Sequence, residues 1–248
     1  MNEITRIAQM IDLSAVRGES NLTDVAETIS LAAEYGCVAV FALGGFTPYV
    51  LQQKQQHGYA FHVGATVGFP DGGQLTDVKV YEARRLAEMG CDEIDMVQNF
   101  GHALSGRFDY VRQDIAAVKK AAGDIPLKVI LECAYLTDAQ IVASAKAALD
   151  AGAQWVKSGT GWASSGTTVH QIRLMKETVG DAMKVKAAGG VRDLKTLLEL
   201  EAAGAERFGI GVKTAKSIFR ELSVVGCQLS EDSCKTLSGN RQPTTDNY

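Results

Sequence analysis

The sequence of 248 residues has few of the features that mark a membrane protein, a secreted protein or a nucleic-acid-binding protein. No apolar run approaches the roughly 18 residues that a membrane-spanning helix needs. The first residues lack the charged-then-apolar layout of a signal peptide. The 25 basic residues are balanced by 29 acidic ones, and no basic stripe of the kind that binds nucleic acid is present. We therefore expect neither a membrane role nor a nucleic-acid role.

Cysteine is also scarce. The five cysteines are an odd number, lie far apart and mostly have apolar neighbours. This pattern is typical of reduced thiols in a cytoplasmic protein and not of a disulfide framework. No CxxC or HxxxH pair occurs, so we expect no metal site.

The sequence does contain a regular alternation of short apolar segments and helical stretches. A parallel crossover needs a helix between its strands, and the segment starts lie 23 to 34 residues apart, which suits one βα unit each. The fold class predicted is α/β, a single (β/α)₈ TIM barrel over residues 1–225, because the strands are evenly spaced and no second domain is visible. A doubly wound open sheet is the alternative. The eight predicted strands are Met10–Val16, Val38–Leu43, Val63–Phe69, Glu93–Gln98, Leu127–Glu132, Trp155–Thr160, Lys184–Ala188 and Arg207–Val212.

Two segments carry helix-start signals. Thr137 and Gln140 have the spacing of a capping box. Thr76 is a predicted N-cap, with Leu75 and Val80 spaced as a hydrophobic staple around it. The buried face predicted for that second helix consists of Val78, Leu86 and Met89. Residues 226–248 are rich in polar side chains and predict a flexible C-terminal tail.

Two lysines occupy unusual positions inside apolar strands. Lys157 lies in the sixth strand and Lys186 in the seventh. Desolvation and a second nearby cation both favour a neutral amine, which is the nucleophilic form of lysine. Asp95, in the fourth strand, is the carboxylate expected to pair with them and to relay protons. The alternatives are surface lysines that reach past a strand end and a purely structural ion pair.

Glycine-rich turns follow the last three predicted strands. Barrel enzymes commonly bind phosphate on exposed backbone N–H groups of the loops after strands seven and eight. We therefore predict that the substrate is bound by two groups of residues. Asp12 and Ser14 would bind hydroxyl groups, although a strand-end turn explains them equally well. The residues expected around the anion are Thr160, Gly161, Gly189, Gly190 and Gly211.

At these motifs the chain resembles the deoxyribose-phosphate aldolase family of class I aldolases. The similarity runs from about Ile11 to Phe219. Its most specific parts are VKSGTG at 156–161, similar to VKTSTG of the family, and VKAAGGVR at 185–192, similar to KxxGGxR. EIDMV at 93–97, LKVILE at 127–132 and VKVYEA at 78–83 also fit.

The resemblance implies an activity and roles for three residues. The family cleaves 2-deoxy-D-ribose 5-phosphate reversibly to acetaldehyde and D-glyceraldehyde 3-phosphate, without metal or organic cofactor. By this similarity Lys157 forms the Schiff base, Lys186 lowers its pKa and Asp95 relays protons. Members are commonly dimers or larger, so we expect a homo-oligomer whose partners are a small sugar phosphate and an aldehyde.

The chain also departs from the family pattern. The serine-bearing end of strand eight is replaced by Gly211-Val212-Lys213-Thr214, and Trp162 stands where members have a lysine or an apolar residue. The second strand has Ala39 and Ala42 in place of the usual cysteine and proline. Tyr248 resembles the terminal tyrosine that reaches the active site in some members.

Three other functions stay open at this point. One is an aldolase similar to this family that acts on a different sugar or sugar phosphate. The others are a barrel isomerase that works by acid–base chemistry and an inactive ligand-binding barrel. The isomerase has no need of two strand lysines, and the inactive barrel is disfavoured because both lysines and Asp95 are present.

Overall fold

A computed structural model describes residues 2–224 of the chain as a closed barrel of eight parallel strands in the order β1 to β8. The strands are β1 Ile11–Ala15, β2 Ala39–Ala42, β3 His62–Val67, β4 Glu93–Val97, β5 Leu127–Ile130, β6 Trp155–Lys157, β7 Lys184–Ala188 and β8 Arg207–Ile210. The predicted tail at 226–248, including Tyr248, lies outside the described residues.

Helices cover the outside of this barrel. They are α1 Glu3–Ala8, α2 Leu22–Tyr35, α3 Thr47–His57, α4 Thr76–Glu88, α5 Phe100–Leu104, α6 Phe108–Ala122, α7 Asp138–Asp150, α8 Val169–Val179, α9 Leu194–Ala202 and a last helical segment, α10, over residues 212–224. Two short 3₁₀ turns follow β2 and β5, at Gly44–Phe46 and Cys133–Tyr135.

The predicted barrel is confirmed, and the open sheet is excluded because β1 pairs with β8 as well as with β2. All eight strands lie where the sequence predicts them. Most are shorter by one to three residues, since the predicted segments run on into the loops.

Alternation along the strands separates two layers. In β4, Ile94 and Met96 belong to the apolar core between the strands and the helices. Glu93 and Asp95 alternate with them and point into the barrel, where they contact basic side chains. Successive residues of a strand face opposite sides of the sheet, so one strand can supply both an apolar outer face and a charged interior.

The helix-start predictions have different outcomes. The capping box at Thr137 is confirmed, with the Thr137 hydroxyl and the Gln140 side chain each bonding the other residue's backbone N–H. The prediction for α4 is wrong. Leu75 is the N-cap residue and is 74% exposed, so there is no staple, and Thr76 is already helical.

The face that α4 buries also differs from the prediction. Leu86 is buried as expected, but Val78 is 50% exposed. Lys79 and Ala83 are buried instead. The reason is a buried ion pair, since Lys79 Nζ lies 2.8 Å from a carboxylate oxygen of Asp114 on α6. A hydrophobic pattern cannot anticipate a face that is anchored by a lysine.

Candidate active site

A cavity of about 250 Å³ opens at the carboxyl ends of the strands. Barrel enzymes place their active sites at this face. All but one of the site residues predicted from sequence line it, and the exception is Asp95. The lining residues named in the predictions are Asp12, Ser14, Lys157, Thr160, Gly161, Lys186, Gly189, Gly190 and Gly211.

Asp95 lies directly beneath two lysines of the cavity. Its Oδ2 is 2.8 Å from Nζ of Lys157 and 2.8 Å from Nζ of Lys186. All three side chains are buried, and Lys157 retains 7% exposure at the cavity surface. Lys157 and Lys186 lie on the neighbouring strands β6 and β7, and Asp95 reaches them through the barrel interior from β4, so the three groups predicted from sequence lie together. Asp95 itself is fully buried and reaches the cavity only through the lysines.

The charged network continues below this triad. Nζ of Lys128, on β5, lies 2.5 Å from Glu93 and 3.0 Å from the second oxygen of Asp95. Asp12 joins the network from β1, with Oδ2 at 2.5 Å from Nζ of Lys186. The guanidinium of Arg207, on β8, bridges Asp12 at 2.8 Å and Glu93 at 2.9 Å. These seven charged side chains thus form one connected set of ion pairs inside the barrel.

Two of these cations were missed from the sequence. Lys128 stands in an apolar strand, as Lys157 and Lys186 do, so the argument applied to those two would have found it. Arg207 is the first residue of its strand and looks like an ordinary strand-end charge. Only the closed barrel shows that it turns inward to meet β1 and β4.

The environment sets the protonation of these groups unequally. Burial lowers the pKa of Lys157 to about 8, and the nearby cations of Lys186 and Lys128 act in the same direction against the opposing pull of Asp95. Burial alone would raise the pKa of Asp95, but Lys128, Lys157 and Lys186 outweigh it and hold that pKa well below its usual range.

A count of formal charges also indicates which group loses a proton. The network holds four cationic side chains and three carboxylates, which leaves one surplus positive charge. Loss of one proton would balance the cluster. Since an unbalanced buried charge is costly, the amine with the lowered pKa, Lys157, is the group best placed to lose that proton.

Phe41 fills the middle of the barrel beside the lysines. Nζ of Lys186 lies 4.3 Å and Nζ of Lys128 4.7 Å from the centre of its ring, within the range of a cation–π contact. The ring fits because β3 has Gly64 opposite it. A Cβ atom at Gly64 would lie only 2.1 Å from the ring.

The glycine turns supply unpaired donors around the cavity. The backbone N–H groups of Gly161, Gly189, Gly190 and Gly211 donate to no acceptor within residues 2–224. Gly166 and Gly190 also approach so closely that a Cβ on Gly190 would lie 2.5 Å from Cα of Gly166. Gly211 directly precedes α10, whose first N–H groups lack intrahelical partners, as at any helix start.

The predicted hydroxyl-binding residues have different surroundings. Ser14 is half-buried and donates to the carbonyl of Ile210 at 3.2 Å, so its oxygen can still accept. Asp12 is fully buried between Lys186 and Arg207. It is therefore part of the charged network as well as the cavity wall.

One further acid supports the site from behind and was not predicted. Glu132 has a backbone φ of 56°, in the left-handed region that non-glycine residues seldom occupy. Its buried carboxylate accepts hydrogen bonds from both the N–H and the hydroxyl of Thr160. Burial raises the pKa of Glu132 above its ordinary value. No local sequence pattern indicates this strained position.

Comparison with known proteins agrees with this geometry. A family model described as DeoC/LacD family aldolase matches residues 6–221. A deoxyribose-phosphate aldolase of Klebsiella pneumoniae is 42% identical over 224 residues, which cover 90% of each chain. The chain belongs to the DeoC/LacD family of aldolases. The resemblance found in the sequence motifs is thereby confirmed, and this aldolase is a lyase.

Solved structures place this aldolase among similar barrels. A structure described as QR15, an aldolase, superposes with a TM-score of 0.83 at 30% identity, over 90% of this chain and 98% of that one. A deoxyribose phosphate aldolase of Aeropyrum pernix, described as tetrameric, has a TM-score of 0.79 at 23% identity, over 90% and 93% of the two chains. The second likeness concerns the fold alone.

Two absences apply to the part of this aldolase that the structure describes. Within residues 2–224, no helix is long and apolar enough to cross a membrane. In the same range, no group of three or more histidine, cysteine and acidic side chains is arranged to hold a metal ion.

Proposed function

We propose that this aldolase cleaves 2-deoxy-D-ribose 5-phosphate reversibly to acetaldehyde and D-glyceraldehyde 3-phosphate, through a Schiff base on Lys157. The observation that carries the proposal is the position of the Lys157 amine. It lies at the cavity surface, has a pKa of about 8 and contacts a carboxylate that also holds a second lysine.

The first step requires a neutral amine. With a pKa near 8, a useful fraction of Lys157 is unprotonated at neutral pH, whereas an ordinary lysine at about 10.4 has almost none. The amine attacks the aldehyde carbon of the open-chain sugar, and loss of water gives an iminium. Two covalent steps replace one difficult cleavage.

The iminium then acts as the electron sink. The proton of the C3 hydroxyl is removed, the C2–C3 bond breaks, and its electron pair forms an enamine on the acetaldehyde fragment. Protonation at C2 and hydrolysis release acetaldehyde and restore the Lys157 amine. Lys186, whose Nζ shares Asp95 with the nucleophile, is the proposed proton donor and acceptor at the cavity surface. Asp95 acts through the two lysines, as a positioning group and proton relay.

The other end of the substrate fits the glycine turns. A phosphate would accept hydrogen bonds from the free N–H groups of Gly189, Gly190 and Gly211 and from the start of α10, where the helix dipole favours an anion. Thr160, Gly161 and Ser14 line the same cavity as the lysines and these glycines. Asp12 and Ser14 are the proposed contacts for the sugar hydroxyls.

The chemistry proposed is carried by the lysine itself and uses neither metal nor organic cofactor. We also retain assembly into a homo-oligomer, a dimer or larger, as a prediction. It can be checked by light scattering of the purified protein.

The test of the proposal is borohydride reduction in the presence of 2-deoxyribose 5-phosphate, followed by intact-mass and peptide mass spectrometry. A stable adduct on Lys157 is expected, and Lys157→Met should give none while keeping its circular dichroism spectrum. An adduct with acetaldehyde but none with the sugar phosphate would keep the mechanism and indicate a different sugar. Absence of any adduct would contradict the Schiff base.

A further inference from the structure

The mouth of the cavity contains an arginine stacked on a tryptophan. Arg17 follows β1 and Trp162 follows β6. The guanidinium carbon of Arg17 lies 5.2 Å from the centre of the Trp162 ring. Arg17 lines the cavity, and both side chains are partly open to solvent.

Reciprocal hydrogen bonds hold this pair in place. Arg17 donates from one terminal nitrogen to the carbonyl of Gly161 at 3.0 Å. In return, Nε1 of Trp162 donates to the carbonyl of Val16 at 2.9 Å. Each loop therefore supplies a side-chain donor to the backbone of the other, and the two loops are joined across the cavity mouth.

The tryptophan is itself fixed from three sides. Its backbone N–H donates to the Thr160 hydroxyl oxygen at 3.0 Å. Thr160 in turn donates its own backbone N–H to the carboxylate of buried Glu132. The tryptophan ring meets Phe69 edge-on, with centroids 6.0 Å apart. A Cβ atom at Gly18 would come within 2.8 Å of the ring, so the first loop needs a glycine there.

The guanidinium keeps donors that this arrangement does not use. An arginine has five N–H donors in one plane. One bonds Gly161, and the only carboxylate near Arg17 within the described residues is the exposed Glu19, at 3.6 Å. An exposed ion pair of this kind contributes little free energy. Stacking on an aromatic face leaves the edge of the guanidinium free for two parallel hydrogen bonds to an oxyanion.

The charge at the mouth suits an anion. Arg17 and Arg192 are the arginines that line the cavity, and Asp12, its one acidic lining residue within 2–224, is already paired with Lys186 and Arg207.

We propose that Arg17, oriented by Trp162, binds the phosphate of the substrate and makes the enzyme selective for phosphorylated sugars. This assignment rests on the proposed function, because it names the group that recognises the distal end of the same substrate. Trp162 acts through Arg17 as a positioning residue.

The test compares phosphorylated with free substrate. Arg17→Ala should raise KM for 2-deoxyribose 5-phosphate by about 10- to 100-fold, which is the range for loss of a charged hydrogen-bonding partner. Cleavage of free 2-deoxyribose should change less than about twofold. Arg17→Lys should recover part of the loss, since it keeps the charge but not the planar fork. Trp162→Ala should act in the same direction as Arg17→Ala. Arg84 is an exposed arginine on α4. Arg84→Ala is the matched control and should leave the cleavage of both sugars unchanged.

A purely structural role for Arg17 gives a different result. If the residue only joined the two loops, Arg17→Ala would impair both sugars equally, and this outcome would overturn the proposal. So would an unchanged KM for the phosphorylated sugar.

A binding measurement keeps this test separate from the proposed reaction. Inorganic phosphate is titrated calorimetrically into the wild type and the Arg17→Ala variant, and the variant is expected to bind at least about tenfold more weakly. Equal phosphate binding would reject the role of Arg17 even in an active enzyme. Weaker binding by the variant would support it even if neither sugar were cleaved, which would be a failure of the proposed function alone.

Discussion

Lys157 and Lys186 are register partners on neighbouring strands, directly opposite each other in β6 and β7. Their side chains point to the same face of the sheet, into the barrel. Two amines are therefore held side by side in a buried space, and a single carboxylate oxygen contacts both. Two positive charges that share one carboxylate oxygen repel each other, so protonation of both lysine amines is disfavoured, and burial adds to this effect.

Removal of the second lysine should shift the activity to higher pH. Lys186 helps to lower the pKa of Lys157, so Lys186→Leu should raise that pKa from about 8. The amine then becomes neutral only at higher pH, and the acid limb of the pH–rate profile should move up by about one unit or more. Lys184→Leu, at the exposed start of the same strand, is the control. An acid limb that stays in place would remove Lys186 from this role.

Removal of the shared carboxylate should act in the opposite direction. Asp95 favours the ammonium of Lys157, so Asp95→Asn should lower the pKa of that lysine below about 8 and move the acid limb of Schiff-base formation to lower pH. The substitution also leaves Lys128 and Lys186 with one counter-charge fewer. Urea unfolding should then show a loss of about 3–5 kcal/mol. A stable variant with an unshifted pH profile would contradict both parts.

The ring of Phe41 should make Gly64 intolerant of any side chain. Gly64→Ala would place a methyl group 2.1 Å from that ring, so we expect a loss of about 1–3 kcal/mol in the free energy of unfolding and a lower kcat. Phe41→Leu in the same chain should restore much of the stability, because the space reopens. Gly45→Ala, where no atom lies within 4 Å, is the control for the substitution itself. Failure of the double variant to recover would mean that the clash is not the cause.

The buried pair between α4 and α6 should show strong coupling. Lys79 and Asp114 are both fully buried and 2.8 Å apart. Either Lys79→Met or Asp114→Leu leaves one uncompensated buried charge, which should cost about 3–5 kcal/mol in urea unfolding. The double variant should lose clearly less than the sum of the two. Additive losses would show that the pair does not interact as the geometry indicates.

The sequence predicts the barrel well because its signal is repeated eight times. Each strand is an apolar run of limited length followed by a helix, and parallel pairing with short connections leaves few other arrangements. Lys157 and Lys186 are recognisable for a local reason, since a lysine inside an apolar strand needs an explanation.

Other features depend on contacts between distant segments and have no local pattern. Arg207 reaches Glu93 across the barrel, although 114 positions separate them along the chain. Lys79 is buried because Asp114 lies opposite it on another helix. Glu132, whose backbone is strained, bonds Thr160 in the next loop. None of these pairings can be read from a single segment.

The full burial of Asp95 beneath the cavity surface has a consequence for engineering. The strands carry the reactive lysines and their counter-charges. Loops such as those of Arg17, Gly189 and Trp162 form the rim of the cavity. Within residues 2–224, no side chain of these loops takes part in the ion pairs of the network. Redesign of the rim for other aldehydes should therefore leave the lysine chemistry intact, and the choice of substrate can be varied independently of the reaction.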